Sequence, residues 1–137
     1  MPAPEPASAA AAARKPFAYA LLRVVPRVER GERLNVAVVL FSRQHDFLDM
    51  RTRLDEARLA AVAPGMDPAP VRERLEALRQ VVCGEPGGGA LAALPASERF
   101  GWLVAPASTI IQPSEVHTGL TSDPAADLER LFDTLVA

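Results

Sequence analysis

The sequence has few cysteines and few aromatic residues, which limits the sites that it can build. Its 137 residues include one cysteine, Cys83, so an internal disulfide framework and a multi-cysteine zinc site are both excluded. One tryptophan and one tyrosine offer no obvious stacking platform for nucleic-acid bases. A net charge of -2 excludes a uniformly basic protein that coats nucleic acid by charge alone, so we do not expect nucleic acid as the main partner.

The sequence also lacks a long apolar run. The longest runs, residues 17–22 and 36–41, have six residues each, whereas a membrane-spanning helix needs about 20. Residues 1–15 hold three prolines and seven alanines, and their positive charges come last, unlike those of an export signal. We therefore expect a disordered Ala/Pro-rich tail over residues 1–15, one domain over residues 16–137, and a cytoplasmic protein without a membrane partner.

Apolar patterning predicts three strands first and mainly helices afterwards. Strands are predicted at residues 17–25, 34–42 and 47–51, joined by short polar connections into an antiparallel meander. The first strand is apolar on both faces, which indicates a central strand covered on both sides. Later elements are helices at 54–62, 68–82, 97–103 and 124–135, a flexible glycine-rich connector at 84–89, a strand at 109–112, and a strand end or loop at 115–119.

Three local signals place the helix boundaries. Asp67 before Pro68 and Asp123 before Pro124 each predict a helix start with an aspartate cap, and Ser97 is predicted to cap the helix between them. The segregation of strands and helices favours an α+β fold: a mostly antiparallel sheet, made of the N-terminal β-meander and a later strand, with three to four helices packed on one face.

Two polar residues interrupt the first two apolar strands. Arg23 needs an acidic partner or access to solvent, because burying an unpaired charge costs several kcal/mol, and Glu29, Glu32 and Asp49 are candidate partners. It is either half of a structural ion pair or an anion-binding arginine. Asn35 opens the second strand, where asparagine is disfavoured. It is either a turn or bulge residue that bonds its own backbone or, together with Glu32, a side chain directed at a ligand.

Residues 108–119, STIIQPSEVHTG, form the densest polar stretch of the sequence. Its polar candidates are Ser108, Thr109, Gln112, Ser114, His117 and Thr118. A serine–histidine pair serves nucleophilic catalysis in many enzymes, but no G-x-S-x-G motif and no orienting acid accompany His117 here. A histidine that makes structural hydrogen bonds is therefore the favoured interpretation.

We expect neither a metal nor a cofactor. His45 and His117 lie far apart in the sequence, and Cys83 has no partner at ligand spacing. The glycine-rich run at 84–89 follows a predicted helix and lacks the lysine of a phosphate-binding loop. Whether the protein is an enzyme stays open.

Three stretches resemble a known bacterial family: YALLRVVPRVERGERLNVAVVLF (19–41), ERFGWLVAPASTIIQPSEVHTGLTSDP (98–124) and ERLFDTLV (129–136). The family is catalogued only as domain of unknown function number 3037, and the resemblance covers nearly all of residues 17–137. It implies no activity. Family members are often encoded beside a HipA-like kinase, which implies an accessory or regulatory role with a kinase-like partner. The matching candidate ligand-binding residues are Arg23, Glu32, Asn35, Ser108, Thr109, Gln112, His117 and Thr118.

Three functions follow from these observations. The leading hypothesis is a non-catalytic interaction or regulatory domain. The alternative is an enzyme or binding module for a phosphate- or nucleotide-like ligand, with Arg23 holding the anion, His117 as acid or base, and Ser108 and Thr109 orienting the substrate. A third, binding of nucleic acid or a small ligand by the first hairpin, relies on the net charge of +2 over residues 1–67 (ten basic, eight acidic). Any small-ligand site requires the hairpin and the 108–119 stretch to meet in one pocket.

Overall fold

The structure is a computed structural model that describes residues 14–107 and 109–137. Of the predicted tail over residues 1–15, residues 1–13 lie outside the described residues, whereas Lys15 already belongs to a strand. The site candidate Ser108 also lies outside the described residues. The described strands are β1 (Lys15–Val24), β2 (Leu34–Ser42), β3 (Phe47–Thr52), β4 (Ile111–Pro113) and β5 (His117–Thr121). The described helices are α1 (Glu56–Val62), α2 (Ala69–Val82), α3 (Gly89–Ala92), α4 (Ala96–Leu103) and α5 (Pro124–Leu135), with 3-10 turns at Val28–Arg30 and Pro86–Gly88.

The strands form one antiparallel sheet with the order β3-β2-β1, and both β4 and β5 pair with the far side of β1. Gly31, with a φ of 70°, ends the 3-10 turn in the loop between β1 and β2, a conformation that glycine adopts without steric cost. The predicted α+β class, the antiparallel sheet and the N-terminal meander are confirmed. β2 spans the predicted residues, whereas β1 begins at Lys15, two residues before the predicted strand.

Helices cover both faces of the sheet: α1, α2 and α4 pack on one face, within the predicted three to four, and α5 covers the other face. The first core lies between the sheet and α1, α2 and α4; it includes Ala20, Leu22, Val24, Val39, Leu59, Val71, Leu75, Leu78 and Phe100. The second core lies between the other face and α5; it includes Phe17, Leu21, Val38, Leu40, Leu128, Leu131, Phe132 and Val136. Successive residues of a strand point to opposite faces, so strands that are apolar throughout need a cover on each side. The prediction that β1 is covered on both sides is confirmed.

Asp123 is the N-cap of α5 as predicted, whereas the N-cap position of α2 is Pro68 and Asp67 lies one residue before it. Asp123 accepts a hydrogen bond from the Ala126 amide at 3.2 Å, and Asp67 accepts one from the Ala69 amide at 3.0 Å. The prediction that Ser97 caps α4 is wrong, because the N-cap position of α4 is a proline and no side chain accepts a hydrogen bond there. Within the described residues, no helix combines the length and the apolar character that crossing a membrane demands.

The segment predicted as a flexible connector, residues 84–89, instead folds against α2. A methyl group built on Gly88 would come within 2.7 Å of the Ala92 Cβ and 3.0 Å of the Val81 amide nitrogen. Glu85 accepts hydrogen bonds from both terminal nitrogens of Arg79, at 2.9 and 3.0 Å. Gly88 therefore permits close packing against the backbone of α2, a use of glycine that its sequence signal does not distinguish from flexibility.

Candidate functional site

Three of the predicted site residues lie side by side across the sheet. Arg23 of β1 is paired with Asn35 of β2 on one side and with Gln112 of β4 on the other. Directly opposed residues of antiparallel strands project on the same face, so the three side chains form a row. Leu21, two residues from Arg23, belongs to the second core, which places the row on the face that α5 covers. The first hairpin and the described part of the 108–119 stretch therefore meet.

A β-bulge brings Asn35 into this row. Leu22 pairs with Ala37 while Arg23 pairs with Asn35, so Val36 is an extra residue in β2. Val36 and Ala37 are both 0% exposed. The Asn35 side-chain amide donates a hydrogen bond to the Leu135 carbonyl at 3.1 Å, at the end of α5. Asn35 therefore lies next to the bulge, and its side chain bonds a carbonyl at the C-terminus of α5. The predicted structural role was a bond to its own backbone instead.

A second irregularity separates β4 from β5. Leu22 pairs with Pro113 and Tyr19 pairs with His117, so two residues of β1 face three residues, 114–116, on the other side. The Ser114 side chain bridges β1 and this irregular segment. Its buried hydroxyl accepts a hydrogen bond from the Leu21 amide at 2.9 Å and donates one to the Glu115 carbonyl at 2.8 Å. The segment at 115–119, predicted as a strand end or a loop, therefore divides between this irregularity and β5, which begins at His117.

Glu115 lies among positive charges beside this break. Its own backbone amide, together with the charges of Arg23, His117 and Arg33, holds the pKa of the Glu115 carboxyl below its ordinary value. The Nε2 atom of His117 is 3.9 Å from the Oε1 atom of Glu115. The His117 ring also lies 5.2 Å from the ring of Tyr19, measured between centroids. We call Arg23, Arg33, Glu115 and His117 the Glu115 cluster.

The remaining predicted residues lie outside this cluster. Glu32 pairs with Arg30 and lines a cleft of about 660 Å³ between the first hairpin loop and the loop after α1. The Thr109 hydroxyl donates to the Ile111 carbonyl, within its own turn. Thr118 is exposed and pairs with Ala18, which packs against the first core, so Thr118 is on the opposite face from His117.

Sequence reasoning missed Glu115 and Arg33 as members of the cluster. Glu115 stands two residues before His117, the spacing that places side chains on one face of a strand, and this was the available signal. Arg33 had no comparable signal, because the sequence of the hairpin loop does not define which residues lie near the Arg33 side chain. Chemically, the cluster is an exposed carboxylate in the field of the Arg23 and Arg33 charges, so the carboxylate of Glu115 opposes an anionic ligand at Arg23. Among the described residues, no group of three or more His, Cys, Asp or Glu side chains is placed to hold a metal ion.

In the part of the chain that the structure describes, the edge of the sheet beside this cluster is open. β5 pairs with β1 on one side, and no strand of the described residues pairs with its other side. Leu120 is 59% exposed and Val116 is 42% exposed, and residues 117–121 contain no Asp, Glu, Lys or Arg. We call residues 116–121 the β5 edge. Unpaired backbone N–H and C=O groups along such an edge are a template for another strand.

Fold and site together define an α+β protein with an open sheet edge next to a surface charge cluster. The model of one family, described as "Protein of unknown function (DUF3037)", matches residues 19–136. The match covers nearly the whole chain, so the chain belongs to this family and the resemblance read from the sequence is confirmed. Comparison with curated proteins and with solved structures found no match.

Proposed function

We propose that the protein is a non-catalytic interaction or regulatory domain of the bacterial cytoplasm that binds a protein partner through the β5 edge. One observation carries this proposal: within residues 14–107 and 109–137, no strand pairs with the outer side of β5, next to the exposed side chains of Val116 and Leu120. An extended segment of a partner that adds to such an edge gains main-chain hydrogen bonds and side-chain contacts together.

The composition of the edge supports the same proposal. Exposed sheet edges in soluble proteins are usually protected by charged residues, prolines or bulges. Pro113 lies in β4, and the irregularity at 114–116 ends before β5 begins. β5 itself has none of these protections, and its histidine is at its first residue. An exposed edge of this kind favours aggregation unless another strand covers it.

A HipA-like kinase is the partner class that we propose. The support is the family resemblance, which brings with it the frequent neighbourhood of such a kinase gene. In this proposal the domain contributes a binding surface, and the kinase contributes the chemistry.

Binding of the purified chain to the kinase-like protein from its neighbouring gene tests this proposal. Isothermal titration calorimetry of the wild type should show a complex, and Leu120→Lys should weaken it about tenfold or more, because a charge on an exposed edge opposes strand addition. The matched control is Val28→Lys, since Val28 is 73% exposed but lies on the hairpin loop. Equal affinity of the wild type and Leu120→Lys would contradict docking at β5, and no complex at all would remove the kinase as partner.

A phosphate- or nucleotide-like ligand at Arg23 is the second candidate. Its support is the row in which Arg23 lies between the amide side chains of Asn35 and Gln112. The charge of Glu115 opposes such a ligand, so Glu115→Gln should bind inorganic phosphate more tightly than the wild type, as followed by NMR chemical shifts. The absence of phosphate-dependent shifts in both proteins would eliminate this candidate.

A further inference from the structure

We infer that the β5 edge also pairs with the β5 edge of a second copy of this chain, antiparallel, about a twofold axis at Thr118. The inference rests on the proposed function, because both use the open side of β5, and it names one specific occupant of that side. The sheet would then continue from one molecule into the other through β5 of each.

The exposed apolar residues of the edge are arranged symmetrically for such a pair. Val116 and Leu120 each lie two residues from Thr118, one on either side. When Thr118 opposes its own counterpart in an antiparallel pair, Val116 of each molecule opposes Leu120 of the other. Two apolar cross-strand contacts form at once, and each covers side chains that are exposed in the single chain.

Pairing places these three side chains on one face of the sheet. Thr118 pairs with Ala18, which packs against the first core, and residues two apart in a strand share a face. Val116 lies one residue before β5, in the irregular segment, and takes the same face when the alternation of β5 continues through it on pairing. The symmetric contacts therefore form on the side of α1, α2 and α4, and both partners of each contact meet on that side.

No like charges oppose each other in this arrangement. The nearest charged residue, Glu115, lies three residues from the axis and would face Thr121 of the second copy instead of its own counterpart. On the other face, Gly119 has no side chain, and the ring of Phe17 occupies the space beside it. Pairing therefore neither concentrates charge nor needs bulky side chains to move.

Disulfide trapping tests the register of the pair. In a Cys83→Ser background, which removes the exposed native thiol, Thr118→Cys should form a covalent dimer on mild oxidation. Opposed Cα atoms of antiparallel strands are about 4.5–5.5 Å apart, within disulfide range. Leu120→Cys should form about tenfold less dimer, since its counterpart would be displaced by four residues, or about 13 Å. A mixture of Val116→Cys and Leu120→Cys chains should cross-link to each other.

Sedimentation of the unmodified protein gives the second measurement. The short edge predicts a weak dimer, so the sedimentation coefficient should rise with concentration up to about 1 mM, which detects millimolar association. Leu120→Lys should abolish the rise, and Val28→Lys should not. A monomer at all concentrations, or equal trapping of Thr118→Cys and Leu120→Cys, would overturn self-pairing. Binding of the kinase-like protein in the same preparation would still stand, so the two failures are distinguishable.

Discussion

The two outer edges of the sheet are built in opposite ways. The β3 edge carries Asp49 and Arg51, and Arg51 pairs with Glu129 of α5 and lies 5.3 Å above the centre of the Phe132 ring. The β5 edge carries no such charges, and Leu120 beside it is 59% exposed. One edge is therefore charged and tied to a helix, whereas the other is uncharged and open within the described residues.

The difference shows how a small sheet can limit association to one side. Charges along an edge strand make a second strand costly to add, since its backbone would have to desolvate them. Contacts with α5 further occupy the side chains of β3. Association through the sheet is then directed to β5, the edge that both proposals use.

The largest expected effect is on the β5 side. A methyl group at Gly119 would lie 2.6 Å from a ring carbon of Phe17, its cross-strand partner. Gly119→Ala must shift a buried ring and should lower the free energy of unfolding by about 1–3 kcal/mol, as measured by urea denaturation. Gly101→Ala is the control: its added methyl group meets nothing within 4 Å in α4, and it should raise that free energy by about 0.5–1 kcal/mol. A neutral Gly119→Ala would show that Phe17 does not hold β5 against β1.

A smaller effect is expected on the β3 side. Arg51→Gln removes the exposed ion pair with Glu129 and the contact of the guanidinium with the Phe132 ring. Each such interaction contributes about 0.5–1 kcal/mol or less at an exposed site, so the loss in the free energy of unfolding should stay near 1 kcal/mol and shrink in high salt. A loss above about 3 kcal/mol would mean that this edge depends on Arg51 for its packing, a size typical of core disruption.

The smallest expected effect is a shift in titration beside the β5 edge. The Glu115 pKa is lowered, so its charged form stabilises the fold above the ordinary carboxyl pKa, and this contribution is lost as the pH falls through the lowered pKa. Arg23→Gln removes one of the responsible charges and should move the Glu115 pKa upward, as measured by carboxyl NMR. The pKa of Glu76, lowered mainly by Arg79 on α2, should not move. An unchanged Glu115 pKa would remove Arg23 from the cluster.

The sequence was sufficient for the local elements of the fold. β2 spans its predicted residues, and Val71, Leu75, Leu78 and Val82 form the predicted buried stripe of α2. Asp67 and Asp123 lie at helix starts for a reason contained in a few neighbouring residues: a carboxylate accepts a bond from an amide two or three positions along. Such interactions need no distant partner, so the pattern predicts them.

The candidate site was predictable only in part. Arg23 and Asn35 were chosen because they interrupt apolar strands, and Gln112 and His117 because they belong to the polar stretch at 108–119. The sheet places Arg23, Asn35 and Gln112 in one row. Glu115 and Arg33 were missed, and Glu32 and Thr118 lie elsewhere. Local patterns do not state which strand a residue will pair with, and a bulge of one residue changes which side chains are neighbours.

The amino-acid sequence alone determined the antiparallel meander, the start of α5 and the apolar residues on both faces of β1, because these depend on short-range periodicity and capping. Only the tertiary structure decided that α5 covers the second face, that β5 pairs with β1, and that Glu115 lies among cations. These depend on contacts between residues far apart in the chain, whose free energy is set by packing and register.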